Sequence, residues 1–320
     1  MENLHIVILD AGTLGSDMTF DWFKKFGRVS VYEFTPKDCV KTRIADADVI
    51  IVNKIRLNEQ NLCDVRRLKL ICVTATGYDN IDIKYCKKHD IGVCNVRGYS
   101  TESVAQITVA MALSLTNNIK QFDNYVKSGK YSQSGSQNRV EPVFHEMSTM
   151  TWGVVGLGEI GKRTAQIAKT LGCRVVGFKR TPEQDYECVD IDTLCEMSDI
   201  ISVHLPLTDA TKGIISKDRI EKMKQTAIVI NVARGAVVDE SALAEALING
   251  KIGGLGIDVY SAEPMKENSP YYKIVDCDNV IMTPHMAWGA YEARVRCMEE
   301  IAQNIQTFYD GGIRNRVDSL

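Results

Sequence analysis

Trp152-Gly-Val-Val155 followed by Gly156-Leu-Gly158-Glu-Ile-Gly161 is the stretch that decides the fold. A short apolar run feeds a glycine turn, and a helical pattern with Ile160, Thr164, Ile167 and Leu171 on one side follows it. Strand, G-x-G-x-x-G turn and helix in that order are the context a dinucleotide fingerprint requires. Gly156 permits the tight turn and Gly158 lets a pyrophosphate approach the backbone. Gly161 lets the helix pack closely on the sheet, with its N-terminal amides facing the phosphates.

Downstream, Arg174–Phe178, Ile200–Val203, Ala227–Ile230, Gly254–Ile257 and Asn279–Met282 are further strand-like runs with helix-compatible segments between them. With Trp152–Val155 they make six strands, the count of a complete dinucleotide fold. Upstream, Ile6–Leu9, Asp48–Val52, Leu70–Val73 and Ile91–Cys94 repeat the alternation. Strands apolar on both faces, separated by helices, mean βαβ units in a parallel sheet.

Between the two series the spacing predicts a long amphipathic helix from about Thr101 to Lys127. Its apolar positions are Val104, Ile107, Met111, Leu115, Ile119, Phe122 and Val126. Ser128 to Ser148 then reads as an exposed connection. After Trp288, the residues Val295, Met298, Ile301, Ile305 and Phe308 mark a terminal helix free to cross back onto the first series. The expectation is an α/β protein of two domains. A doubly wound, parallel-sheet cofactor domain covers residues 99–289, and a discontinuous domain covers 1–98 and 290–320.

Across 320 residues, 45% hydrophobic and 25% charged residues with a net charge of −3 are ordinary for a soluble globular protein. That charge gives no basis for nucleic acid or a membrane surface as partner. The start, Met1 to Leu9, lacks the basic flank and long apolar core of a secretion signal. No apolar run approaches the ~20 residues of a membrane span. The 10 cysteines form no C-x-x-C pair and mostly lie within strand or helix patterns. The reading is therefore no metal site, and free thiols in a reducing, cytoplasmic setting.

Past the second strand of the later series stands Phe178-Lys179-Arg180-Thr181, with no carboxylate until Glu183. An NAD enzyme usually places Asp or Glu there, about twenty residues past the glycine turn, to bind the adenosine 2′-hydroxyl. Lys179 and Arg180 suit a 2′-phosphate instead, which leans the cofactor toward NADP over NAD.

Three later loops carry an arginine, a glutamate and a histidine. They are Asn231-Val-Ala-Arg234-Gly235, Asp258-Val-Tyr-Ser-Ala-Glu263-Pro264 and Thr283-Pro-His285-Met-Ala287-Trp288. Loops at the carboxyl ends of parallel strands converge on one crevice. Reducing a 2-keto acid needs a carboxylate anchor, a proton donor and a hydride, the last supplied by the cofactor. The planar guanidinium of Arg234 suits the anchor and polarises a carbonyl as charge develops on its oxygen. Histidine titrates near neutrality, so His285 suits the proton donor. Glu263, in contact with the ring, would favour the imidazolium. His204, in Ser202-Val-His204-Leu-Pro206, is the competing imidazole and reads as structural.

The glycine turn and these three loops, in this order, resemble the D-isomer-specific 2-hydroxyacid dehydrogenases over essentially the whole chain. The resemblance implies a flavodoxin-like substrate domain, a Rossmann-like cofactor domain and a catalytic cleft between them. It assigns catalysis to Arg234, Glu263 and His285. Thr76 and Gly77, in Thr74-Ala-Thr-Gly-Tyr-Asp-Asn80, would present amides to the substrate carboxylate. Glu159, Ile160, Leu205, Pro206, Val232, Ala233 and Asp258 would line the cofactor, with Thr76, His285 and Ala287 beside them. The helix from Thr101 would belong to a homodimer interface. Asn53-Lys54 and Ala287-Trp288-Gly-Ala-Tyr-Glu-Ala-Arg294 look most like the glycerate dehydrogenase/hydroxypyruvate reductase branch. That branch implies NAD(P)-dependent reduction of hydroxypyruvate or glyoxylate, with Asn53 and Lys54 near the polar end of the substrate. The alternatives are a larger keto acid, or a dinucleotide-sensing protein of the corepressor kind.

Overall fold

Among residues 3–181 and 184–318, which the computed structural model describes, twelve strands form two separate parallel sheets. The chain divides into two compact units, Met1–Ser100 with Gly289–Leu320, and Thr101–Trp288.

In the first unit the strands are β1 (Leu4–Ile8), β2 (Gly27–Val31), β3 (Val49–Val52), β4 (Leu70–Val73) and β5 (Gly92–Cys94). Their order is β2-β1-β3-β4-β5, the flavodoxin-like arrangement. Val7, Ile50, Val52, Ile71, Val73 and Val93 face a core shared with Val40, Ile44 and Cys86. The terminal helix Tyr291–Tyr309 packs within this unit, burying Cys297, Met298, Ile301 and Ile305. Strand β2 was not legible as a strand, because its Gly-Arg-Val-Ser-Val run is half exposed at the sheet edge. An edge strand needs little apolar character.

The second unit holds β6 (Thr151–Val155), β7 (Arg174–Phe178), β8 (Glu187–Cys188), β9 (Ile200–Val203), β10 (Ile228–Asn231), β11 (Gly254–Ile257) and β12 (Val280–Met282). The order is β12-β11-β10-β9-β6-β7-β8. The sheet therefore has seven strands rather than six. The extra one, β8, is two residues pairing with the edge of β7, too short to show a pattern. Successive residues serve opposite faces. Val155, Ile201, Val203, Val229 and Ile257 enter one core, while Trp152, Val154, Ile200, Ile228 and Ile230 enter the other. With both faces covered, the strands read as continuous apolar runs.

The single helix expected over residues 101–127 is two helices, Thr101–Thr116 and Ile119–Lys127. Asn118 adopts the left-handed conformation, φ 51° and ψ 34°, and so breaks the hydrogen-bond ladder. Asparagine tolerates that region, which the continuing apolar spacing concealed. The first helix buries Val104, Met111, Ala112 and Leu115, whereas the second buries nothing and leaves Ile119 and Val126 exposed. Beyond it the segment to Glu146 is largely exposed, with one short helix, Lys130–Gln133.

Among the described residues no helix is long and apolar enough to cross a membrane, and no cluster of three or more His, Cys, Asp or Glu side chains could hold a metal ion. The 10 cysteines are free thiols. Asn118→Ala should lower the unfolding free energy by about 1 kcal/mol, because alanine lacks the short polar side chain that lets asparagine tolerate the left-handed region. Asn118→Gly should leave it nearly unchanged; urea titration of both variants checks this, and equal losses would refute it.

Candidate active site

The glycine turn after β6 has the shape of a phosphate cradle. Gly156 sits at φ 104°, and a Cβ on Gly161 would fall 2.0 Å from the Gly156 carbonyl oxygen. Only glycine lets the helix Glu159–Thr170 start this close to the turn. At Gly158 the opposite holds: a Cβ there would meet nothing within 4 Å. The backbone is open on that side, so the turn fits a pyrophosphate laid against it. Glu159 is exposed and Ile160 half-buried at the helix start.

The other cofactor candidates follow the neighbouring strands of the same sheet. Past β7, Lys179 is half-buried and Arg180 exposed, while Glu183 lies outside the described residues. Leu205 and Pro206 come after β9, and the backbone of His204 lies against Gly156. Val232 and Ala233 come after β10. Buried Asn231 fixes their turn: its Oδ1 accepts from Ala233 N at 3.1 Å and its Nδ2 donates to Arg234 O at 2.9 Å.

Arg234 precedes the short turn Gly235–Val237, and its Nη1 donates to Ala233 O at 2.7 Å. A Cβ on Gly235 would lie 2.1 Å from both Tyr260 C and Ser261 N. The loop carrying Arg234 therefore rests directly on the loop that leads to Glu263. That second loop is fixed by two carboxylates, since Glu240 Oε1 accepts from Ser261 N at 2.7 Å and Glu263 Oε1 from Tyr260 N at 3.1 Å. The other oxygen, Glu263 Oε2, lies 2.6 Å from His285 Nδ1. The structure thus brings glutamate and histidine into contact and leaves Nε2 as the ring nitrogen able to meet a ketone.

His285 has φ 54°, a region costly for a residue with a Cβ. Its neighbours hold it there. The backbone N–H donates to Asp258 O at 2.8 Å, and its carbonyl accepts from Trp288 Nε1 at 2.9 Å. Asp258, 1% exposed, accepts from Thr283 Oγ1 at 2.6 Å, Met286 N at 2.9 Å and Ala287 N at 3.1 Å. Burial pushes its carboxyl above the usual range, although these donors pull the other way. Its oxygens are thus turned to the loop of residues 283–287. Tyr260 ties the same loop, donating to Thr283 O at 3.0 Å; burial raises its hydroxyl to about 12 and keeps it a neutral donor.

His204 stands differently. Ser202 Oγ accepts the indole N–H of Trp152 at 2.9 Å and lies 3.0 Å from His204 Nε2. Burial lowers the ring's pKa to about 3, so it stays neutral near physiological pH and cannot deliver a proton there.

In the first unit, Asn53 and Lys54 follow β3 while Thr76 and Gly77 follow β4. Lys54 and Thr76 are exposed, whereas Asn53 is 5% exposed and donates its side-chain amide to Thr13 Oγ1 at 2.9 Å. Thr76 Oγ1 donates to Val96 O, and Asn95 Nδ2 to Thr76 O, which holds the turn. Sequence reading missed Asp258 as a clamp, together with Tyr260, Glu240 and Trp288. All four act on backbone groups, for which the sequence carries no signal.

An open glycine cradle on a doubly wound sheet, with a carboxylate-bound histidine two strands from the arginine loop, defines an NAD(P)-dependent dehydrogenase. Residues 109–287 match the family described as D-isomer specific 2-hydroxyacid dehydrogenase, NAD binding domain. The chain belongs to that family. It is 34% identical to the glycerate dehydrogenase of Methylorubrum extorquens, over 98% of this chain and 99% of that one. It is 32% identical to the hydroxypyruvate reductase of Blautia hydrogenotrophica, over 98% and 100%. Among solved structures, an acyclic imino acid reductase in complex with NADPH and D-Arg superposes with a TM-score of 0.87 at 28% identity, covering 98% of this chain and 100% of that one.

The buried neutral state of His204 has a consequence for stability. The unfolded chain takes up a proton at about 6.5, the folded one only near 3. Folding stability is therefore lost as pH falls through this interval, where the unfolded state binds more protons. His204→Gln should lose less stability than the parent between pH 7 and pH 5 in denaturant titrations. Equal losses would show that the ring is not held neutral.

Proposed function

We propose that this chain reduces hydroxypyruvate or glyoxylate to the corresponding 2-hydroxy acid, giving the D product where the carbon is chiral. The observation that carries the reading is the 2.6 Å contact between His285 Nδ1 and Glu263 Oε2. A carboxylate there holds Nδ1 and fixes the ring plane, so that Nε2 is the nitrogen turned to the ketone oxygen. Arg234 grips the substrate carboxylate and stabilises charge growing on that oxygen. Thr76 and Gly77 offer backbone amides to a substrate carboxylate, and Lys54 meets the polar end of the substrate, on a loop set by Asn53. The units Met1–Ser100 with Gly289–Leu320 and Thr101–Trp288 serve as substrate and cofactor domains, respectively.

Gly156, Gly158 and Gly161 hold the pyrophosphate with the helix start at Glu159-Ile160. Leu205, Pro206, Val232, Ala233 and Ala287 line the rest, and Asp258 acts through the loop it clamps. When bound, the reduced nicotinamide supplies the hydride for the substrate C2. Lys179 and Arg180 favour the 2′-phosphate of NADP over NAD; the NADPH held by the similar imino acid reductase is consistent with this. The similarity to a glycerate dehydrogenase and a hydroxypyruvate reductase supports the choice of substrate. The free thiols suit a reducing cytoplasm. Exposed Ile119, Val126, Val140, Val143 and Phe144, on the arm that follows the helix Thr101–Thr116, support a homodimer.

Turnover of a keto-acid panel with NADH and NADPH tests the proposal. Hydroxypyruvate and glyoxylate should show the highest kcat/KM, with NADPH preferred. Nucleotide binding without turnover of any keto acid would mark a sensor instead. His285→Gln should cut kcat by about 10²- to 10⁴-fold, the usual worth of a general acid, with cofactor affinity retained. If His204→Gln is the damaging change, the proton donor is misassigned. Sedimentation equilibrium should return twice the chain mass, and a monomer would refute the homodimer.

A further inference from the structure

Asp10, just past β1, is 4% exposed and spends its carboxylate on one short loop. Oδ1 accepts from Asn53 N at 2.9 Å, and Oδ2 accepts from Lys54 N at 2.6 Å and Ile55 N at 3.3 Å. Three consecutive backbone donors of the loop after β3 thus converge on one buried anion. The carbonyl side is tied as well. Asn80 Nδ2 donates to Ile55 O at 2.9 Å and to Asn53 O at 3.3 Å. Thr13 Oγ1, which accepts the Asn53 amide, donates to Asp10 O at 2.7 Å. The loop of Asp10 is anchored in its turn, since Arg294 donates to Leu14 O at 2.7 Å and pairs with Asp17.

Burying a carboxylate costs several kcal/mol unless it is paired or hydrogen-bonded. Tying a surface loop does not require a charge; neutral side chains accept backbone N–H groups at turns routinely. What the anion adds is a rigid backbone at Lys54, through charge-assisted bonds roughly twice as strong as neutral ones. The Lys54 ammonium is also near enough to act on Asp10 as a charge. Its long stem therefore starts from a fixed backbone.

We propose that Asp10 is a positioning residue: it holds the Asn53–Ile55 loop so that the Lys54 ammonium meets the polar end of a short keto acid. Selection of a small hydroxylated or anionic substrate then depends on a carboxylate that never touches it. This rests on the substrate reading given under the proposed function, and it extends that reading to a residue outside the catalytic set.

Asp10→Asn keeps the shape but places an NH₂ group against backbone donors. It should raise KM for hydroxypyruvate about ten-fold, the effect of one lost charge-assisted bond, with kcat and the cofactor KM within about two-fold of the parent. Lys54→Ala should raise KM too, and the double variant should be no worse than Lys54→Ala alone, because both changes act through one ammonium. Asn80→Ala, which frees the carbonyl side, should give a smaller rise of the same kind and serves if Asp10→Asn does not fold. An unchanged KM in the folded variants overturns the proposal. So does a fall in kcat and active fraction at constant KM, or full additivity in the double variant. A parent enzyme that reduces hydroxypyruvate while Asp10→Asn keeps its KM overturns the clamp alone. A parent inert toward every keto acid overturns the reading beneath it.

Discussion

The contact of Glu263 with His285 depends on the absence of one side chain. Gly235 allows the turn after β10 to lie on the backbone of residues 260–261, where a Cβ would intrude to 2.1 Å. That approach stacks the arginine loop on the glutamate loop, and Glu240 and Glu263 then fix the second loop through Ser261 N and Tyr260 N. Only with Glu263 so placed does its remaining oxygen reach His285 Nδ1. A site of charged groups is thus assembled by backbone packing, and the charges take the positions the packing leaves them. The alternative, a site whose charges find one another in a loose loop, would have to offset the ordering of several rotamer-rich side chains.

One device recurs in both units. Asp10 follows β1 and holds the loop after its neighbour β3; Asp258 follows β11 and holds the loop after its neighbour β12. Each is a buried carboxylate that accepts successive backbone N–H groups of the adjacent loop, and burial raises the pKa of each. The pairing has a geometric origin. Parallel strands end side by side, so an acceptor just beyond one strand faces the backbone leaving the next. Donors that would otherwise be buried without partners are satisfied there, and the loops that carry Lys54 and His285 become parts of their sheets.

Much of this was legible in the sequence, for reasons that also explain what was not. The central strands were visible because a parallel sheet covered on both faces demands runs such as Ile228-Val-Ile230. Edge strands carry no such demand, which is why β2 and the two-residue β8 escaped. The helix break at Asn118 was hidden because the apolar spacing continues across it, while the burial does not. In the site, Arg234, Glu263 and His285 stood out as chemically special residues beside Gly or Pro at strand ends. Asp10 and Tyr260 did not, nor did the clamping role of Asp258, since an ordinary acid or phenol bonded to distant backbone has no pattern to match.

The two histidines at strand ends show how environment, rather than residue type, divides the roles. His204 lies over its own sheet, close to Ser202 Oγ, and burial holds it neutral with a pKa of about 3. His285 stands at φ 54° in a loop, its side chain 22% exposed, with a carboxylate on Nδ1. Ser202 Oγ is the hydrogen-bond partner of the first ring, whereas the second has a carboxylate on Nδ1 that orients it. The left-handed backbone at His285 belongs to the same arrangement, because it turns the chain at once after Pro284 while Asp258 O and the Trp288 indole keep the residue there. Local strain held by buried polar groups is therefore part of how this sheet presents an imidazole at its rim.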